Sequence, residues 1–139
     1  MPFQVYRASA GSGKTFTLVS EYLRLCLSST DSMAFSKILA ITFTNKAAGE
    51  MKSRIMESLE ILRDPSKKPE DALRKALLQS TGLSTQVLAD RSAKVLRQML
   101  HNYGLIGIST IDRFTLRILK SFAHDLGLLT NVDFSGLNR

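Results

Sequence analysis

"YRASAGSGKTFTLV", residues 6–19, joins a β-favouring segment to a helix-favouring one through a glycine-containing turn, and its reading decides the fold. The phosphate-binding pattern G-x-x-x-x-G-K-S/T is filled at Gly13, Lys14 and Thr15, while Ala8 stands where the first glycine is usual. Such loops work because consecutive backbone N–H groups turn inward around a β-phosphate at the positive end of the following helix. Gly11 and Gly13 supply the backbone freedom for that turn. Ala8 falls at the strand end, where φ is negative and a methyl group costs little, so residues Ala8, Ser9, Ala10, Gly11, Ser12 and Gly13 are expected to form the cradle. Lys14 is expected to reach the β and γ phosphates, and the Thr15 hydroxyl to ligate Mg²⁺, which makes ATP and Mg²⁺ the expected cofactors.

The flanking segments supply the required context. "FQVYRA" predicts a buried strand over Phe3–Ala8. Val19, Tyr22, Leu23, Cys26 and Leu27 recur at helical spacing and predict one apolar stripe on a helix from about Lys14 to Ser28, with Cys26 as a small core residue. "KILAITF" (37–43) predicts a second strand, buried on both faces. Ala48, Met51, Ile55, Leu59 and Leu62 mark the inner face of the helix after it, which "DPSKKPED" (64–71) breaks. Pro69 suits the first position of the next helix, with Glu70 and Asp71 in its first turn. Residues 70–103 predict two helices separated near "STGLS", with Leu73, Ala76 and Leu77 inward in the first and Ala89, Ala93, Leu96, Leu100 and Tyr103 in the second. Gly104 is expected to end that second helix. "LIGIS" predicts a third strand, and Ile111, Phe114, Ile118 and Phe122 a last amphipathic helix that Gly127 terminates. Strands alternating with helices imply parallel pairing through right-handed crossovers, and so an α/β domain with a parallel sheet flanked by helices. Three strands are few for such a sheet, and the tail "LLTNVDFSGLNR" has no clear ending, so the chain is expected to be a piece of something larger.

Composition limits the alternatives. The 139 residues make one ordinary domain, and 44% apolar with 22% charged residues fits a globular protein. No apolar run approaches the roughly 20 residues of a membrane span. The N-terminus lacks the basic start and apolar stretch of a signal peptide, so no membrane partner and a cytoplasmic location are expected. One cysteine without a His or Cys cluster fits a reducing compartment and gives no structural zinc site. Nineteen Lys and Arg against twelve Asp and Glu give a net charge of +7, which makes polyanions plausible partners.

The stretch "ILAITFTNKAAGEMKSRI" (38–55) resembles motif Ia of superfamily 1 DNA helicases of the UvrD/Rep type, and motif I of that family is similar to A-x-x-G-x-G-K-T, so Ala8 supports the resemblance. "STIDRF" (109–114) resembles motif Ib, which usually reads T-F/I-H-S/G-F, with Asp112 in place of the histidine. The resemblance implies the N-terminal fragment of a first RecA-like motor domain over residues 1–139, with a helical insertion at about 64–104. That insertion is longer than in UvrD or Rep and similar to the RecB and AddA subunits of helicase-nucleases, as are "RASAGSGKTFTL" and "RILKSFAHDLGL". No adenine-reading glutamine segment precedes the loop, and Gln4 is not assigned that role.

The resemblance further implies that single-stranded DNA crosses the C-terminal ends of the strands, touched by Thr42, Phe43, Thr44, Asn45 and Thr110, and that a nuclease or helicase subunit is a possible partner. Hydroxyl, amide and backbone N–H groups at a helix start can hold a phosphate, and an aromatic ring can support a base. Thr44 or Asn45 could instead simply cap the next helix, and Phe43 could be core. Arg113, Arg117 and Lys120, like Arg91, Lys94 and Arg97, suit either a DNA backbone or a solvated helix face. His101 and His124 have no metal-ligand spacing to other such residues.

The Asp-Glu pair and the arginine that a superfamily 1 motor needs for hydrolysis have no counterpart in the 139 residues. Two alternatives therefore stay open: a complete small P-loop NTPase or kinase with Asp112 as its metal ligand, and a basic nucleic-acid-binding module whose nucleotide loop does not hydrolyse.

Overall fold

The computed structural model describes residues 13–67 and 71–127. The strand expected over Phe3–Ala8, the loop residues Ala8–Ser12, and Pro69 and Glu70 lie outside the described residues, as does the tail from 128 onward. Helix α1 spans Gly13–Ser28, matching the expected element to within one residue. Val19, Tyr22, Leu23, Cys26 and Leu27 are all buried, as the helical spacing requires. Burial pushes the Cys26 thiol up to about 12, so it is a core group and not a reactive one.

A single turn of 3₁₀ helix, Ala34–Lys37, then leads into strand β1, Ala40–Thr42. Helix α2 covers Asn45–Leu62 and buries Ala48, Met51, Ile55, Leu59 and Leu62, the inner face read from the sequence. Helices α3 (Asp71–Thr81) and α4 (Thr85–His101) follow. Between them Gly82 takes φ +70°, its N–H donating to Leu78 O at 3.0 Å, and Ser84 Oγ caps α4 by accepting from the Val87 N–H at 3.3 Å. The "STGLS" break thus consists of a helix stop and a helix start.

The inner face of α4 differs from the expected one. Leu88, Ala89, Ser92, Val95, Leu96 and Met99 are buried, whereas Leu100 is 61% and Tyr103 51% exposed. Ala89 and Leu96 are inward as expected, but with Ser92 buried in place of Ala93 the stripe as a whole is turned by roughly 60°. Ser92 tolerates full burial because its Oγ donates to Leu88 O at 2.7 Å within its own helix. Nor does Gly104 end α4. The helix stops at His101, where Asn102 Nδ2 donates to Gln98 O at 3.0 Å, and Gly104 lies in a following 3₁₀ turn, Tyr103–Leu105.

Two arginines fasten α3 and α4 to the helices before them. Arg74 is 7% exposed, and its guanidinium donates to Lys67 O at 2.7 Å, Ile61 O at 3.0 Å and Asp64 O at 3.1 Å, carbonyls at and just beyond the end of α2. Arg91 donates to Leu27 O at 2.9 Å and Ser28 O at 3.2 Å, at the end of α1. A cation is favoured at both places by the helix dipole as well as by the bonds. Arg74→Ala should cost about 2 kcal/mol, because its charge-assisted bonds vanish. A lowered urea midpoint, only partly restored in Arg74→Lys because one ammonium cannot span three carbonyls, is the expected result.

Strand β2, Ile108–Thr110, pairs with β1 in parallel, Ala40 opposite Ile108 and Thr42 opposite Thr110. The chain is therefore a helix-rich α/β protein with a small parallel two-stranded sheet among the described residues. Gly107 enters this pairing at close quarters. Its carbonyl accepts from the Ala40 N–H at 2.7 Å, and a Cβ built on it would stand 2.1 Å from Ile38 O.

The expected burial of β1 on both faces is not found. Ile38 and Ala40 pack against the core, but Leu39 is 47%, Ile41 44% and Phe43 79% exposed. Side chains alternate across a strand, so these three share the face turned away from the core. Helix α5, Ile111–Asp125, follows β2 directly, and Gly127 (φ +65°) terminates it with its N–H on His124 O at 3.0 Å. Its expected apolar stripe is not buried either: Ile111, Ile118 and Phe122 are exposed, and Leu116 is the one buried residue of the helix.

Candidate functional site

The register Thr42–Thr110 brings the C-terminal ends of both strands level, and each end runs into a helix. Open parallel sheets bind ligands at this end, where helix N-termini present N–H groups. At β1 the Thr44 Oγ1 accepts from the Ala47 N–H at 3.0 Å and caps α2. The capping role open to Thr44 in the sequence is thus realised. Thr44 and Asn45 are exposed, Asn45 being the first residue of α2. Thr42 Oγ1 ties the turn together, donating toward Thr44 O at 3.1 Å and Ser109 O at 3.4 Å. Phe43 is not a core residue: at 79% it stands out from the turn. At β2 Thr110 is only 4% exposed, and its Oγ1 accepts from the Arg113 N–H at 3.2 Å. Asp112 lies exposed in the first turn of α5, with Arg113 beside it.

Helix α1 begins at Gly13, immediately after the glycine loop of the sequence, and carries no acidic residue in its first turn. A cleft of about 820 Å³ separates α1 from α2, lined by Phe16 and Val19 on one side and by Asn45, Lys46 and Gly49 on the other. The start of α2 and the first turns of α1 therefore border one space. Of the sequence-derived site residues, Thr42, Phe43, Thr44, Asn45 and Thr110 gather at one end of the sheet, while Ala8, Ser9, Ala10, Gly11 and Ser12 lie outside the described residues.

Comparison with known proteins assigns the chain. The family model of the UvrD/REP helicase N-terminal domain matches residues 2–137. The chain belongs to that family. Its relatives include an ATP-dependent helicase/nuclease subunit of Lactiplantibacillus plantarum, 33% identical over 122 residues, and one of Clostridium perfringens strain 13, 32% identical over 121 residues. The protein of the same name from Leuconostoc mesenteroides is 36% identical over 121 residues. In each case 87% of this chain is covered but only 8% of the relative, so the chain spans a small fraction of the length of the proteins it matches. No solved structure gives a significant match. Among the described residues no helix is long and apolar enough to cross a membrane.

Sequence reasoning missed Arg74 and Arg91 as helix caps, since a charged residue one step from an apolar stripe looks like any solvated position. It also passed over Gly107, although a glycine inside a strand-like run is a signal of close backbone approach.

Proposed function

We propose that this chain is the ATP-binding portion of an ATP-dependent DNA helicase or helicase-nuclease subunit, and that the whole protein translocates on single-stranded DNA. In this reading residues 1–139 are part of a first RecA-like motor domain, and α3 and α4 are its helical insertion. Ala8–Gly13 cradle the phosphates, Lys14 meets the β and γ phosphates, and Thr15 ligates Mg²⁺. Bound ATP and Mg²⁺ supply the cleavable phosphoanhydride and its charge neutralisation. Thr42, Phe43, Thr44 and Asn45 form part of the DNA track, and Thr110 contributes by capping α5 and so fixing the neighbouring turn. The names of the relatives, each a subunit, favour a partner chain.

The observation that carries this reading is the Thr42–Thr110 pairing, which brings level the strand ends whose residues resemble motifs Ia and Ib, at the end of a parallel sheet where ligands usually bind. The cleft between α1 and the start of α2 makes that end continuous with the helix that follows the phosphate loop.

Binding of single-stranded DNA to the longer polypeptide should fall steeply with salt, with a log-log slope of roughly −0.7 for each phosphate contact. Replacing Thr44 and Asn45 by alanine should weaken it with little change of slope, since neither side chain carries a charge that displaces counterions. Thr44→Asp keeps the helix cap but sets a carboxylate against the phosphates and should bind weakly, which separates contact from capping. Fluorescence anisotropy across a salt series measures all three. Affinity indifferent to salt, or unchanged in the double variant, contradicts the DNA track.

A further inference from the structure

The turn between β1 and α2 is held at both ends by threonine hydroxyls. On the helix side Thr44 Oγ1 accepts from the Ala47 N–H, and the Thr44 carbonyl accepts from the Ala48 N–H at 3.0 Å as α2 begins. On the strand side Thr42, the last residue of β1, places its Oγ1 3.1 Å from that same Thr44 carbonyl and 3.4 Å from the Ser109 carbonyl of β2. A hydroxyl has one proton to give. That of Thr42 is shared between two carbonyls of the protein itself, so none remains for a phosphodiester oxygen, which only accepts. Thr42 is half-buried, whereas Phe43 beside it is 79% exposed. So exposed a ring has little of the protein to pack against, and its direction depends on how its backbone is held. The Thr42 hydroxyl holds it, and through Ser109 it also joins the turn to the strand that leads into α5.

We infer that Thr42 is a positioning residue and not itself a DNA contact: its hydroxyl fixes the Phe43 backbone between β1 and the cap of α2, and so sets the direction in which the ring meets a base. The inference rests on the DNA track proposed above and narrows it, giving the stacking contact to Phe43 and the framing of that contact to Thr42. A ring aimed in advance binds better than a loose one, because ordering it on binding costs conformational freedom.

The test uses the longer polypeptide and a short single-stranded oligonucleotide carrying 2-aminopurine at alternate positions, whose emission reports base stacking. Phe43→Ala should weaken binding about 10-fold, within the usual worth of one aromatic–base stack, and lower the emission change at saturating protein. Thr42→Val keeps the shape and suits a strand but has no proton to give. It should weaken binding about 3-fold, the scale of one neutral hydrogen bond, and lower the same saturated signal, and Thr42→Ser should restore both. Added to Phe43→Ala, Thr42→Val should cost nothing further, because the two residues act on one contact. An equal cost in both backgrounds would make the Thr42 hydroxyl a direct contact and overturn the inference. So would a Thr42→Val protein with the unsubstituted protein's affinity and emission change. Thermal unfolding checks that each variant is folded, and Thr42→Ala, which also lacks the hydroxyl, takes the place of Thr42→Val in the cycle if the valine is not tolerated. Failure of the unsubstituted protein to bind single-stranded DNA sinks the track itself, whereas binding that Thr42→Val leaves unmoved sinks only the positioning role.

Discussion

Lys14→Ala is expected to abolish ATP-dependent activity of the longer polypeptide, lowering hydrolysis by at least about 10²-fold, the usual effect of removing one preorganised group that stabilises developing charge. Lys14 is the one side-chain cation that the motif places against the β and γ phosphates, next to the helix start at Gly13. The helix dipole and the loop N–H groups remain in the variant, so nucleotide affinity should fall severely without the fold being lost. Titration calorimetry and phosphate release, with thermal unfolding as the control, measure the two effects separately. Unchanged ATP affinity in a folded variant would remove the phosphate-loop assignment.

Gly107→Ala should have the largest effect on stability. The new Cβ would stand 2.1 Å from Ile38 O, and the obstacle is backbone and not the movable end of a side chain. Relief requires β1 and β2 to separate, which sacrifices the Ala40–Gly107 hydrogen bond and the register that holds Thr42 beside Thr110. Overpacking of this kind costs about 3 kcal/mol, a large part of the 5–15 kcal/mol that holds an ordinary domain together. Denaturant unfolding should show a much lower midpoint for Gly107→Ala than for Gly104→Ala, where an added Cβ meets nothing within 4 Å. Equal midpoints would show that the strands do not approach as described.

Much of the fold is legible because apolar periodicity survives wherever a helix packs by one face. The stripes of α1 and α2 can be read residue by residue, and the α3–α4 break follows from Gly82 and Ser84. The stripe of α4 is misplaced by periodicity because Ser92 satisfies its own hydroxyl and so sits in the core like an alanine. The stripe of α5 reads correctly as amphipathic, but periodicity says only that a face is apolar and not what covers it. Ile41 misleads for a related reason: a continuous apolar run predicts two covered faces, and among the described residues one of them is open. At the candidate site the motifs name the residues, but their pairing across the sheet and the burial of Thr110 depend on register, which no local pattern encodes.

The most direct measurement is phosphate release from ATP by the longer polypeptide, with and without single-stranded DNA, beside the 139-residue chain alone. A DNA-stimulated rate in the longer protein, lost in Lys14→Ala, with essentially no turnover by the 139 residues, is the expected result, since groups that stabilise transition-state charge in such motors are worth about 10³ to 10⁵ in rate and none is read in these 139 residues. Sustained Mg²⁺-dependent hydrolysis by the 139-residue chain, abolished by Asp112→Asn, would contradict it and make Asp112 the metal ligand of a small self-sufficient NTPase.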